Sequence, residues 1–147
     1  MRNPLLLLFL LATACGGGDN LAGPTHADVG GAWRITFTNM TGSGATCNTN
    51  SGNLTLTHSS ATAFGGTYGP VTVTCVAGVE ELSGSFQGSV ANGAVNGSSV
   101  QFDLDNEDVH QTGTVTGSSM SGSSRWDLDL GSGQAVLLDG TWSAAKQ

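Results

Sequence analysis

The chain has 147 residues, which leaves one domain once an N-terminal targeting segment is set aside and excludes a second. Only 10% of the residues are charged, and 23 glycines against three prolines suit a turn-rich β protein while excluding collagen-like or polyproline structure. A formal net charge of −7 repels phosphate backbones, so nucleic acid is excluded as a partner.

Met1-Arg2-Asn3 is a short positive start, and Leu5 to Leu11 is an apolar run with the length of a signal h-region, far too short to span a bilayer. The next residues are Ala12-Thr13-Ala14-Cys15-Gly16-Gly17-Gly18-Asp19. They resemble the bacterial lipobox, in which small residues precede a cysteine that is diacylated on sulfur. Ala12 stands where that pattern prefers Leu, and Ala12-Thr13-Ala14 also meets the A-x-A rule of ordinary signal peptidase. Both readings cut before Cys15. The resemblance implies an exported protein anchored through a lipid on Cys15, and the lack of Asp directly after that cysteine implies the outer membrane. Residues 1–14 are then the signal peptide, 15–28 a flexible Gly-rich tether with a solvated His26, and 29–147 the domain.

With Cys15 assigned to lipid, Cys47 and Cys75 remain, and an even remainder in an exported chain predicts a disulfide between them. Two free thiols or a metal pair are the alternatives, but no CxxC spacing or nearby His supports zinc.

A short motif, apolar-x-Gly-small-aromatic or small, starts at Val29, Phe64, Leu82, Val95, Met120 and Leu138. In a strand alternate residues share a face, so Val29, Gly31, Trp33, Ile35 and Phe37 point one way. Leu82, Gly84, Phe86, Gly88 and Val90 do likewise, as do Met120, Gly122, Ser124, Trp126, Leu128 and Leu130. Glycines on the apolar face make room for aromatics and let a sheet bend, which a small closed barrel needs more than a flat sandwich does. Strands are predicted at 31–38, 52–58, 62–68, 71–76, 81–90, 94–105, 109–117, 119–130 and 134–144, with no helix after the signal. Inward parity breaks between Val95-Gly97-Ser99 and Val100-Phe102-Leu104, which predicts a β-bulge near Ser98 to Val100. The fold class is all-β, an antiparallel up-and-down barrel of about eight strands, with a β-sandwich as the alternative.

Gly31-Ala32-Trp33, then Asn53-Leu54-Thr55-Leu56-Thr57 leading to Gly66-Thr67-Tyr68, resembles the opening strands of avidin/streptavidin-type barrels, and the Gly-x-Trp start is similar to lipocalin-like barrels. The resemblance implies the architecture. In the avidin family a Tyr and a Ser two residues later contact biotin; here Tyr68 is followed by Pro70, so the ligand does not carry over.

Asp103, Asp105, Glu107 and Asp108 form a dense set of oxygen ligands that could hold calcium, but the outward parity of Asp103 and Asp105 and the missing loop glycine favour a solvated hairpin tip. His110 near Asp108 has outward parity, and no Gly-x-Ser-x-Gly elbow accompanies it, so the chain is read as non-enzymatic. No cofactor is implied. Trp33, Trp126 and Trp142 share the inward face, either as packed core or as the lining of a cavity whose polar groups would be Tyr68, Ser99, Gln111, Ser124 and His58. The functional expectation is a membrane-anchored envelope binding module for a small apolar ligand or a protein. The alternative is a periplasmic inhibitor or structural envelope protein acting through its loops.

Overall fold

The computed structural model describes residues 26–104, 108–129 and 135–147. Its elements are β1 (Gly31–Gly42), β2 (Ala45–Thr49), β3 (Gly52–His58), β4 (Ala63–Ala77), β5 (Glu80–Asn96), β6 (Ser99–Leu104), β7 (Val109–Thr116), β8 (Ser119–Asp129) and β9 (Ala135–Lys146). Alternation explains them directly. β3 buries Leu54 and Leu56 between exposed Asn53, Thr55 and Thr57, and β1 buries Trp33, Ile35 and Phe37 in the same rhythm.

All pairings are antiparallel: β1 pairs with both β2 and β3, these both pair with β4, each strand from β4 to β8 pairs with the next, and β9 returns to β1, so the sheet closes into a barrel. β2 and β3 behave as one interrupted strand. Trp33 pairs with Leu54 and Met40 with Cys47 on the β1 side; Leu54 pairs with Tyr68 and Cys47 with Cys75 on the β4 side, all in a single register. Counted that way, eight strands form the ring. At the interruption side-chain bonds supplement the backbone bond from the Asn50 amide to the Thr72 carbonyl at 3.1 Å: the Thr72 amide donates to Asn50 Oδ1 at 2.6 Å, and the Thr36 and Ser51 hydroxyls meet at 2.8 Å. Pro70, which has no N–H, stands in β4 beside this break.

Three expectations are corrected. The segments 62–68 and 71–76 are one strand, β4, with a register shift between Tyr68 and Val71. Ala45–Thr49, expected as a loop before a strand, is itself a strand. The break near Ser98 to Val100 is a two-residue hairpin turn and not a bulge: Asn96 pairs with Ser99, and Gly97 has a φ of 58°. Gly117 makes the same turn with the same φ, between Thr116 and Ser119. A positive φ at the first turn residue is what glycine permits, so Gly97 belongs to a turn, whereas Gly122 and Gly140 lie within strands. The bulge on β5 lies instead between Ala91 and Ala94, at Asn92.

The two ends of the barrel differ. At one end the β3–β4, β5–β6 and β7–β8 connections meet both ends of the described chain, and residues 26–30 close it. Val29 is fully buried there; the Ala27 amide donates to the Gly97 carbonyl at 2.8 Å and the Gly97 amide to His26 Nδ1 at 3.1 Å. His26, Ala27 and Asp28, placed in the tether from sequence, are thus docked on the barrel, and His26 is a hydrogen-bond acceptor. At the other end the long β4–β5 and β8–β9 hairpins stand beyond the shorter β6 and β7.

Candidate functional site

Inside the barrel the three tryptophans are buried, and each indole N–H has an internal acceptor. Trp33 donates to the Val29 carbonyl at 2.8 Å, Trp126 to Ser124 Oγ at 2.8 Å, and Trp142 to the Thr112 carbonyl at 3.2 Å. Two of the rings pack edge to face with phenylalanines: Phe37 on Trp126 at 5.3 Å and Phe102 on Trp142 at 5.2 Å between centroids. Glycine makes the room, as the motif suggested. A Cβ on Gly88 would stand 3.2 Å from Tyr68 Cε1, and one on Gly122 would meet the Thr112 carbonyl that Trp142 uses.

The interior polar groups form one small network. Gln111 Nε2 donates to Ser124 Oγ at 2.9 Å, and Gln111 Oε1 is buried with no hydrogen-bond partner. The void beside this core, between Tyr68, Phe86 and Trp126, measures about 20 Å³, room for a single water. Trp33, Tyr68, Gln111, Ser124, Trp126 and Trp142 are all buried in the barrel core. Ser99 is corrected outright: it is exposed on the outer surface, because the Gly97-Ser98 turn reverses the parity on which its inward placement depended. His58 is half-buried at the closed end, where it accepts from the Val29 amide at 3.3 Å.

The predicted disulfide is present: Cys47 and Cys75 are joined, with Cα atoms 4.0 Å apart. It lines a larger opening that the sequence reading missed. At the open end Ala45, Val73, Gly84, Phe86, Val136 and Leu138 surround a cleft of about 300 Å³. The large apolar side chains exposed among the described residues, Val79 at 102%, Val76 at 42% and Leu137 at 38%, belong to strands and a turn at this same end but do not line the cleft. One signal in the sequence pointed here, namely a valine at the tip of the Gly78-Val79 turn, where a polar residue is usual.

The charges are as unevenly distributed. Glu80, Glu81, Asp103, Asp108, Asp127 and Asp139 all stand in the half of the barrel that holds the cleft, with Arg125 the base among them in the described residues. Asp28 and Lys146 stand at the closed end, where their charged atoms are 3.6 Å apart. The Gly30 amide, donating at 2.9 Å, and then the Lys146 ammonium hold the Asp28 carboxyl below the usual carboxylate range.

On the outer wall Asp103 contacts His110 Nδ1 at 2.8 Å and accepts from Asn92 Nδ2 at 2.8 Å. The calcium candidates Asp105 and Glu107 lie outside the described residues, as do Cys15 and Leu130, and the described residues contain no group of three or more metal-ligating side chains.

No protein family, curated protein or solved structure matches this chain. Its function is therefore argued from the site alone.

Proposed function

We propose that this protein is a non-enzymatic binding module of the bacterial envelope, exported and tethered through a lipid on Cys15, which engages its ligand at the open end of the barrel. The observation that carries the reading is the polarity of the barrel. The chain from the N-terminus arrives at the end closed by His26 to Gly30, and the apolar cleft lies at the opposite end. A domain tethered this way presents its cleft outward from the membrane. A cleft of this volume sits at the lower limit of small-ligand sites and equally accommodates a large apolar side chain of a partner. The burial of the three tryptophans in the core favours a ligand at the mouth over one among the tryptophans.

Two measurements test it. Mass spectrometry of the mature protein should find a diacylglyceryl adduct on Cys15; an unmodified thiol there would remove the membrane anchor. The neutral dye N-phenyl-1-naphthylamine should brighten on the protein and lose that response in Gly84→Leu. Gly84 is the appropriate position because a Cβ there meets only the Phe86 ring at 3.5 Å, an ordinary contact, so a larger side chain enters the cleft without displacing backbone. A dye response unaltered by Gly84→Leu would place apolar binding elsewhere.

A further inference from the structure

The open end also leaves hydrogen-bonding groups without partners. β5 runs from Glu80 to Asn96, and β4 pairs with it from Glu80 onward, but β6 pairs with it only from Val90 to Asn96. From Glu80 to Phe86, then, β5 is bonded on one side only among the described residues. The described part of β6 ends at Leu104 and that of β7 begins at Val109, and neither pairs with that stretch. Among the described residues the result is a notch in the barrel wall, bordered by a strand edge without a ladder partner and opening directly onto the cleft that Gly84 and Phe86 of the same strand line.

Natural sheets usually protect such an edge with charge, and Glu80 and Glu81 provide it here. Their sign is selective. With Asp103, Asp108, Asp127 and Asp139 in the same half, the notch repels a second copy of this acidic chain and attracts a basic one. An extended segment laid along β5 would bond its main chain to the free edge. Its alternate side chains would point inward beside Gly84 and Phe86, into a cleft sized for a large apolar group, and the remaining ones outward among the acids.

Resting on the binding-module reading, we propose that the Glu80-to-Phe86 edge of β5 captures an extended, basic segment of a partner protein as an added strand, anchored by an apolar side chain in the cleft.

The test uses the exported protein carrying Cys15→Ser and the synthetic peptide Lys-Val-Lys-Leu-Lys-Val-Lys, followed by amide hydrogen exchange and calorimetry. The peptide should slow exchange within Glu80 to Phe86 and leave the already paired β7–β8 amides unchanged. Binding should weaken at least tenfold when Glu80→Lys and Glu81→Lys are combined, and similarly when alternate peptide nitrogens are methylated. Equal binding of the same peptide with Glu in place of Lys would overturn the proposal, as would binding without protection of β5. If no peptide binds while the neutral dye still fills the cleft, strand capture is wrong and the binding-module reading stands. If Glu80→Lys with Glu81→Lys leaves the fold and the dye response intact but abolishes peptide binding, strand capture is supported independently of the cleft.

Discussion

Cys47 and Cys75 stand directly opposite one another in the β2–β4 ladder, in the same register that pairs Leu54 with Tyr68 beyond the interruption at Asn50 and Ser51. The bridge therefore adds a covalent link between the short strand β2 and β4 to the ladders that β2 makes with β1 and β4. For a sequence separation of 28, the chain-entropy model gives a contribution of about 3 to 4 kcal/mol. Replacing both cysteines by serine should lower the stability read from urea denaturation by about that amount. Amide exchange should accelerate more in β2 than in β3, and a uniform change along both would mean that the bridge stabilises the barrel without any special role at the break.

Gly93 and Gly84 share one strand but should respond oppositely to an added methyl group. A Cβ at Gly93 would stand 2.6 Å from Phe64 Cδ2 and press on the Phe64 carbonyl, whereas at Gly84 the nearest atom is Phe86 Cε2 at 3.5 Å. Gly93→Ala should cost about 1 to 3 kcal/mol through overpacking, and Gly84→Ala should stay within about 0.5 kcal/mol of the parent. Thermal melting of the two variants decides the matter. Equal losses would show that the glycines serve the bending of the sheet rather than the space its aromatics need.

The sequence revealed the barrel because alternation and inward glycines are local signals: Trp33, Ile35 and Phe37, or Leu54 and Leu56, mark their face without reference to the rest of the chain. Disulfide pairing was legible for the same reason, since two cysteines leave one choice. Gly97 was misread because glycine serves both as a gap on a strand face and as the first residue of a hairpin turn, and five nearby residues cannot separate the two uses. Ser99 was misplaced as a consequence. The cleft and the unpaired edge of β5 were hidden more deeply, because they arise from the unequal lengths of the β4–β5 and β6–β7 hairpins, which no local pattern marks. Only the closed ring shows that β5 reaches past β6.

Asp28 should couple the closed end of the barrel to acid. Its carboxyl accepts from the Gly30 amide and faces Lys146, so its pKa in the folded protein lies below the unfolded value of about 3.9. A lowered folded pKa means stability that is present above the unfolded value and lost as pH falls through the folded one. Acidification below about pH 4 should therefore loosen residues 28–30, visible as a shift of the Gly30 amide and of Trp33 fluorescence, since the Trp33 indole is bonded to Val29. Asp28→Asn should flatten that dependence. An unchanged acid transition in the variant would assign the loosening to another group.

Within the core, Ser124 and Gln111 are bonded to each other yet should differ in the sign of their contribution. Ser124 Oγ accepts from both Gln111 Nε2 and Trp126 Nε1, so Ser124→Ala strands two buried donors, at a cost of about 1 to 3 kcal/mol for each. Gln111 already contains a buried oxygen without a partner, and its loss leaves Ser124 still bonded to Trp126. Gln111→Met, which keeps the volume and removes the orphan oxygen, should be neutral or stabilising by up to about 1 kcal/mol. Urea denaturation of the two single variants and the double variant gives the comparison. If Gln111→Met were the more damaging of the two, its amide would have to contribute something beyond the bond to Ser124, and the interior could no longer be read as apolar core organised around a single serine.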